Sequence, residues 1–224
     1  MPSAFHTAAI HAAFPTIDAD RSVCVDLSDL EHAPFAEALW PALSHVTTFR
    51  TTDKKWTGPA MSPKVAEALG AQLAQLSCIR QIELSNCRVE ADALKSLGPH
   101  LARLMTIQRL DLSGYFLGAD GFPALGPYVV HLTSIQQVNL SGNMMRTAGA
   151  VSLGPQLAPL TFLQQLDLSG NNVGDVGATV LRPHLAHLTS IKELRRQQHQ
   201  CRRQQHRCRW CQRSGATPSN PHVH

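Results

Sequence analysis

The sequence predicts an α/β solenoid, a right-handed β-α superhelix with a curved parallel sheet on its concave face and short helices on its convex face. Three observations predict it. Four segments, IRQIELSNC, IQRLDLSGY, IQQVNLSGN and LQQLDLSGN, begin at Ile79, Ile107, Ile135 and Leu163, each 28 residues after the last, and a fifth, IKEL, begins at Ile191. Leucine columns recur at the same period between them. Aromatic residues make up only 5% of the 224-residue chain, which suits many small identical layers rather than one core of large rings. Internal repeats of this length are the signature of stacked architectures.

Each repeat opens as a strand. In Leu166-Asp167-Leu168-Ser169 apolar and polar residues alternate, the period of a pleated strand, and the glycine and asparagine that follow are turn formers. The second half is helical. Leu69, Leu97, Leu125, Leu153 and Leu181 form one column. A second is Leu73, Leu101, Val129, Leu157 and Leu185, and a third is Leu76, Leu104, Leu132, Leu160 and Leu188. Within a repeat these positions are i, i+4 and i+7, one face of a helix. Pro99, Pro127, Pro155 and Pro183 recur too. A proline lacks the amide donor, so the second half of each helix is expected to be irregular. One strand-helix unit cannot bury its own apolar side, and stacking completes the core.

The N-terminal part carries weaker copies. Val25-Asp26-Leu27-Ser28 matches the strand motif, Leu39 to Leu43 matches Leu97 to Leu101, and Val46 to Lys54 is a degenerate strand of unassigned register. The expected organisation is a helical or capping segment over 1–20, about six repeats over 21–194, and a basic tail over 195–224. The tail holds seven Arg and no acid, against 13 Lys and Arg and 16 Asp and Glu before it.

The motif IxxIxLxxC at Ile79 to Cys87, LxxLxLxxN at Leu163 to Asn171, and the run LDLSGNNVGDVGA from Leu166 resemble the ribonuclease-inhibitor type of leucine-rich repeat, over roughly residues 20–194. Members of that family include inhibitors, segments of innate-immune receptors and activators of small GTPases, so the resemblance implies a fold more than a function. It implies that Asn143 and Asn171 cap the turn after the strand and that Cys87 stands at the position where cysteine is allowed. Tyr115 departs from the pattern and is expected to distort the turn after Leu112.

In an xLxL strand the leucines point inward and the residues between them face the concave surface. Gln81, Arg109, Gln137, Gln165 and Glu193 form one such row. Glu83, Asp111, Asn139 and Asp167 form a second, acidic row that Asp26 would extend, and Ser85, Ser113, Ser141 and Ser169 form a third. An acidic row favours a basic or polar partner, although Asp and Ser are also stock residues of the repeat. Arg109, Tyr115, Phe116 and Met144 break the uniformity and are the better candidates for a partner-specific patch.

No phosphate-binding loop, zinc-protease helix or nucleophile elbow is present. His100 with His184, and His131 with His187, recur at fixed repeat positions and read as surface residues of the outer helices. The expectation is no enzyme, no cofactor and no metal, with another protein as partner. No run of about 20 apolar residues predicts a membrane span, and Met1 to Ala13 lacks the pattern of a secretory signal, which together point to the cytoplasm.

Past Leu194 the repeat pattern stops. Cys208 and Cys211 form a CxxC with Cys201 nearby, a weak zinc motif without a second pair. The arginines with Trp210 could bind RNA or another polyanion. We favour a third reading, a frameshifted or misassigned end of a longer repeat array, because RRQQHQC and RRQQHRC are near-duplicates and a shifted frame is compatible with repeat-like residues. That reading leaves the last layer uncapped and prone to self-association. A protein-recognition scaffold is therefore the function expected. Its rivals are a regulator of a small GTPase and a polyanion binder acting through the tail.

Overall fold

A computed structural model describes residues 21–25, 45–51, 60–84, 89–114 and 117–195. Seven strands line up in chain order: β1 (Ser22–Val25), β2 (Thr48–Thr51), β3 (Gln81–Glu83), β4 (Arg109–Asp111), β5 (Gln137–Asn139), β6 (Gln165–Asp167) and β7 (Glu193–Arg195). All neighbours are parallel. Between them run α1 (Pro63–Leu73), α2 (Ala91–Leu101), α3 (Gly118–Val129), α4 (Arg146–Leu157) and α5 (Gly174–Leu185). Each helix packs on the next in sequence, so the elements form a leucine-rich-repeat solenoid, as the 28-residue period requires.

From β3 onward every strand residue pairs with the residue 28 positions later, for example Leu110 with Val138 and Leu166 with Leu194. The inward residues Ile82, Leu110, Val138 and Leu166 are all essentially buried. Phe49 pairs with Ile82 and is fully buried. The degenerate second strand thus keeps the inward column with a larger ring. Its partner Val23 on β1 is also buried. This register puts Cys24, not Asp26, in line with Arg50 and Glu83; Asp26 itself lies outside the described residues. The first strand therefore sits two residues earlier than the weak motif predicts.

The helices do not become irregular at their prolines. Pro99, Pro127, Pro155 and Pro183 sit inside continuous helices, two residues before the last one. There the proline removes only one late amide bond. In α2 the carbonyl left without that bond is Lys95, and the Tyr128 hydroxyl of the next helix reaches it at 3.5 Å.

Neighbouring helices approach through glycine. A Cβ built on Gly70 would lie 2.7 Å from His100 Cδ2, and one on Gly154 would lie 2.6 Å from His184 Cδ2. His100 and His184 are half-buried, so they are contact residues between helices rather than surface residues. His131 and His187 are exposed. The same column, Gly70, Gly98, Gly126 and Gly154, ends in Arg182 on α5. In the last layer Leu185, Ile191 and Leu194 are only half-buried, where Leu157, Ile135 and Leu166 of earlier layers are buried.

The turns after the strands need left-handed backbone. Gly118 and Gly174, at φ of 62° and 67°, open α3 and α5, whereas Arg146 takes φ of 54° at the same repeat position in α4. A side chain there costs roughly 1–2 kcal/mol, against about 0.5–1 kcal/mol of extra chain entropy for glycine. Arg146→Gly is expected to stabilise the protein by about 0.5–1 kcal/mol, read as a higher urea midpoint at unchanged slope.

Candidate functional site

The side chains between the buried strand residues form rows on the open face of the sheet. Pairing places Ser22, Thr48, Gln81, Arg109, Gln137, Gln165 and Glu193 side by side, with Ser22 at the first edge buried. The second row is Cys24, Arg50, Glu83, Asp111, Asn139, Asp167 and Arg195. Adjacent strands lie about 4.8 Å apart, so each row is a short ladder of neighbouring polar groups.

The second row is less acidic than its middle suggests. Arg50 stands on one side of Glu83, and Arg195 stands beside Asp167. Arg195 belongs to β7 and not to the basic tail: its carbonyl accepts from the Leu168 amide at 3.0 Å. Its Nε donates to Glu193 Oε1 at 2.6 Å. That hydrogen bond and the Glu193 charge, with a smaller contribution from Asp167, raise the guanidinium above its ordinary value. Arg109 Nε lies 3.5 Å from Glu83 Oε1. Arginine therefore interleaves with the carboxylates, and no single sign of charge dominates. Reasoning from the sequence misses Arg195 because it opens an arginine-rich run; continuing the 28-residue count by one position would find it.

Three members of the row also hold the turn. The oxygens of Asp111, Asn139 and Asp167 accept the backbone N–H of Ser113, Ser141 and Ser169 at 3.0, 3.0 and 2.9 Å. The Asn139 amide donates to Asp111 Oδ2 at 2.8 Å. This is the side-chain mimicry of a backbone turn that Asp and Asn provide, so these residues are stock parts of the repeat. In the first row, Gln81, Arg109, Gln137 and Gln165 make no such turn bond among the described residues. A shallow groove runs along both rows, lined by Arg109, Gln137, Asn139, Gln165, Asp167, Glu193 and Arg195.

Beyond the strands the turn is closed by buried asparagines. The Asn143 amide donates to the carbonyls of Leu112 and Leu140 at 2.8 and 3.0 Å. The Asn171 amide donates to those of Leu140 and Leu168 at 2.7 and 3.0 Å. Asn171 Oδ1 accepts the Asn143 N–H at 3.0 Å, which ties one cap to the next. Met144, in the turn between, is 40% exposed and has φ of 52°. Tyr115 and Phe116 lie outside the described residues, as do Ser85, Cys87, Cys201, Cys208 and Cys211. Among the described residues no three His, Cys, Asp or Glu side chains gather as metal ligands, and no helix is long and apolar enough to cross a membrane.

The class that this fold and face define is a leucine-rich-repeat solenoid with an open polar sheet. The family model described as a leucine-rich repeat matches residues 160–181. Among solved structures the fold is similar to one titled leiomodin-1 actin-binding site 2 (ABS2), with a TM-score of 0.54 and 13% identity over 75% of this chain and 92% of that one. No curated protein matches the sequence.

Proposed function

We propose that this chain is a recognition module that binds another protein through the open face of its sheet and carries out no reaction of its own. The observation that supports this most is the groove between Arg109 and Arg195. Its amides and charges stand on hydrogen-bonded strands, so the backbone that carries them is already ordered before a partner arrives. Gln137 and Gln165, free of turn duty, offer both donors and acceptors. The interleaved charges suit a partner surface of mixed sign rather than a uniformly basic one. A fold neighbour whose title names an actin-binding site supports a protein as the kind of occupant, and at 13% identity the likeness reaches no further. The 28-residue period supports the ribonuclease-inhibitor type of repeat, and the partial exposure of Leu185, Ile191 and Leu194 supports self-association at that end.

The triple variant Arg109→Ala, Gln137→Ala, Gln165→Ala tests the face. All three side chains are at least partly exposed, so each change is expected to cost within about 0.5 kcal/mol of stability. Immobilised wild type should retain a partner that the triple variant releases. If both chains retain the same proteins equally, the open face is not the binding surface.

A further inference from the structure

The segments that run from a helix end back to the next strand, 74–80, 102–108, 130–136, 158–164 and 186–192, contain no Asp or Glu. In-register strands bring them together along one rim of the sheet. Arg80, Arg103 and Lys192 stand there exposed. Among the described residues none of the three has a carboxylate partner; Lys192 donates to Gln164 Oε1, at 3.0 Å. Carboxylates lie elsewhere, in the strands and at the helix starts, such as Asp92, Asp120 and Asp175.

Two large apolar side chains interrupt this rim. The repeat pattern here is Leu-Thr-Ser-Ile, as at 132–135 and 188–191. Met105 replaces the Thr and is 60% exposed, and Phe162 replaces the Ser and is 65% exposed. At the position equivalent to Phe162, Thr106 donates its hydroxyl to the Ile79 carbonyl at the start of its own repeat at 2.8 Å. Phe162 gives up that bond and presents a ring to water instead. A single exposed apolar residue is ordinary, and cations near helix ends can simply balance the helix dipole. Dipole balance accounts for Arg103. It does not account for Met105 or Phe162, nor for Arg80 and Lys192, which precede strands where the other repeats carry Gln108, Gln136 and Gln164.

We propose that this rim is a second docking surface, for an acidic protein segment that carries large apolar side chains. Carboxylates of the partner meet Arg80, Arg103 and Lys192, and its apolar groups meet Phe162 and Met105. A protein fits better than a lipid surface. Met105 and Phe162 belong to loops two layers apart, about 10 Å at the strand spacing, with Thr and Ser between them. Separate anchors of this kind suit separate partner side chains, whereas a membrane takes a continuous apolar face.

The test uses the full chain and a fluorescently labelled peptide of Glu and Asp with one Phe and one Leu, alongside the same peptide with both replaced by Ser. Two double variants remove one component each by restoring the pattern of the other repeats, which protects the fold: Met105→Thr with Phe162→Ser, and Arg80→Gln with Lys192→Gln. Wild type should bind the apolar acidic peptide at least tenfold more tightly than the serine peptide. Either double variant should lose about tenfold, and the first should no longer distinguish the two peptides. Binding that both variants keep would place the contact in the arginine-rich residues after 195 or on the open face, and would overturn the proposal. So would the absence of saturable binding by wild type. Vesicles containing phosphatidylserine that bind wild type but neither variant, with no peptide binding, would assign the rim to a lipid surface instead.

Discussion

Asn171→Ala is expected to lower the unfolding free energy by roughly 3–5 kcal/mol. The side chain is fully buried. Its amide satisfies the carbonyls of Leu140 and Leu168 at 2.7 and 3.0 Å, and its oxygen satisfies the amides of Asn143 and Met145 at 3.0 and 3.3 Å. Alanine takes these partners from the Leu168 carbonyl and from the Asn143 and Met145 amides, while the Leu140 carbonyl keeps its bond from the Asn143 amide. A buried backbone group left unpaired costs about 1–3 kcal/mol. The effect should spread. Asn143 is linked to Asn171, and in a stacked array each interface supports its neighbours. Chemical denaturation should show a lower midpoint, and hydrogen exchange should show lost protection first around residues 140–145. Gln165→Ala, on the same repeat but solvent-facing, is the control and should change stability by less than about 0.5 kcal/mol. Equal effects of the two changes would show that the asparagine ladder does not hold the turns.

Phe122→Ala is expected to cost about 3–5 kcal/mol, the usual range for emptying a buried phenylalanine site. Leu94, Ala150 and Ala178 occupy this position in the other repeats, so a ring here is peculiar to one layer. Phe122 is fully buried. It fits because Gly149 stands opposite: a Cβ at Gly149 would lie 2.8 Å from Phe122 Cδ2 and 2.7 Å from Met145 Cγ. Large and small residues thus compensate across adjacent layers. The pair gives a direct check. Gly149→Ala alone should overpack the site and cost about 1–3 kcal/mol. Combined with Phe122→Leu, it should cost less than the sum of the two single changes. Strict additivity in thermal or urea melts would mean that the two positions do not share the same space.

Much of the fold is legible in the sequence because one number, 28, says which residues are neighbours. In an array that contacts only adjacent copies, translation by one period turns sequence alignment into spatial register. That is why Gln81, Arg109, Gln137, Gln165 and Glu193 can be set in a row from spacing alone. Legibility fails where the period is interrupted or the residue type misleads. Asp26 fits the motif, yet the sheet starts two residues earlier and puts Cys24 in the row. Arg195 reads as the start of a charged tail and is a strand residue. His100 and His184 read as solvated positions and are packed on glycines of the preceding helix.

Periodicity alone dictates the stacked architecture, the inward leucine columns and the order of the polar rows, because hydrophobic burial with a constant repeat leaves one arrangement that covers every apolar side. What each polar residue does within that arrangement emerges only from the folded coordinates. Whether Asp111 serves a turn or faces a partner, whether a histidine meets water or a glycine of another layer, and whether a carboxylate is left unbalanced all depend on distances between side chains in different layers, which the repeat orders but does not measure.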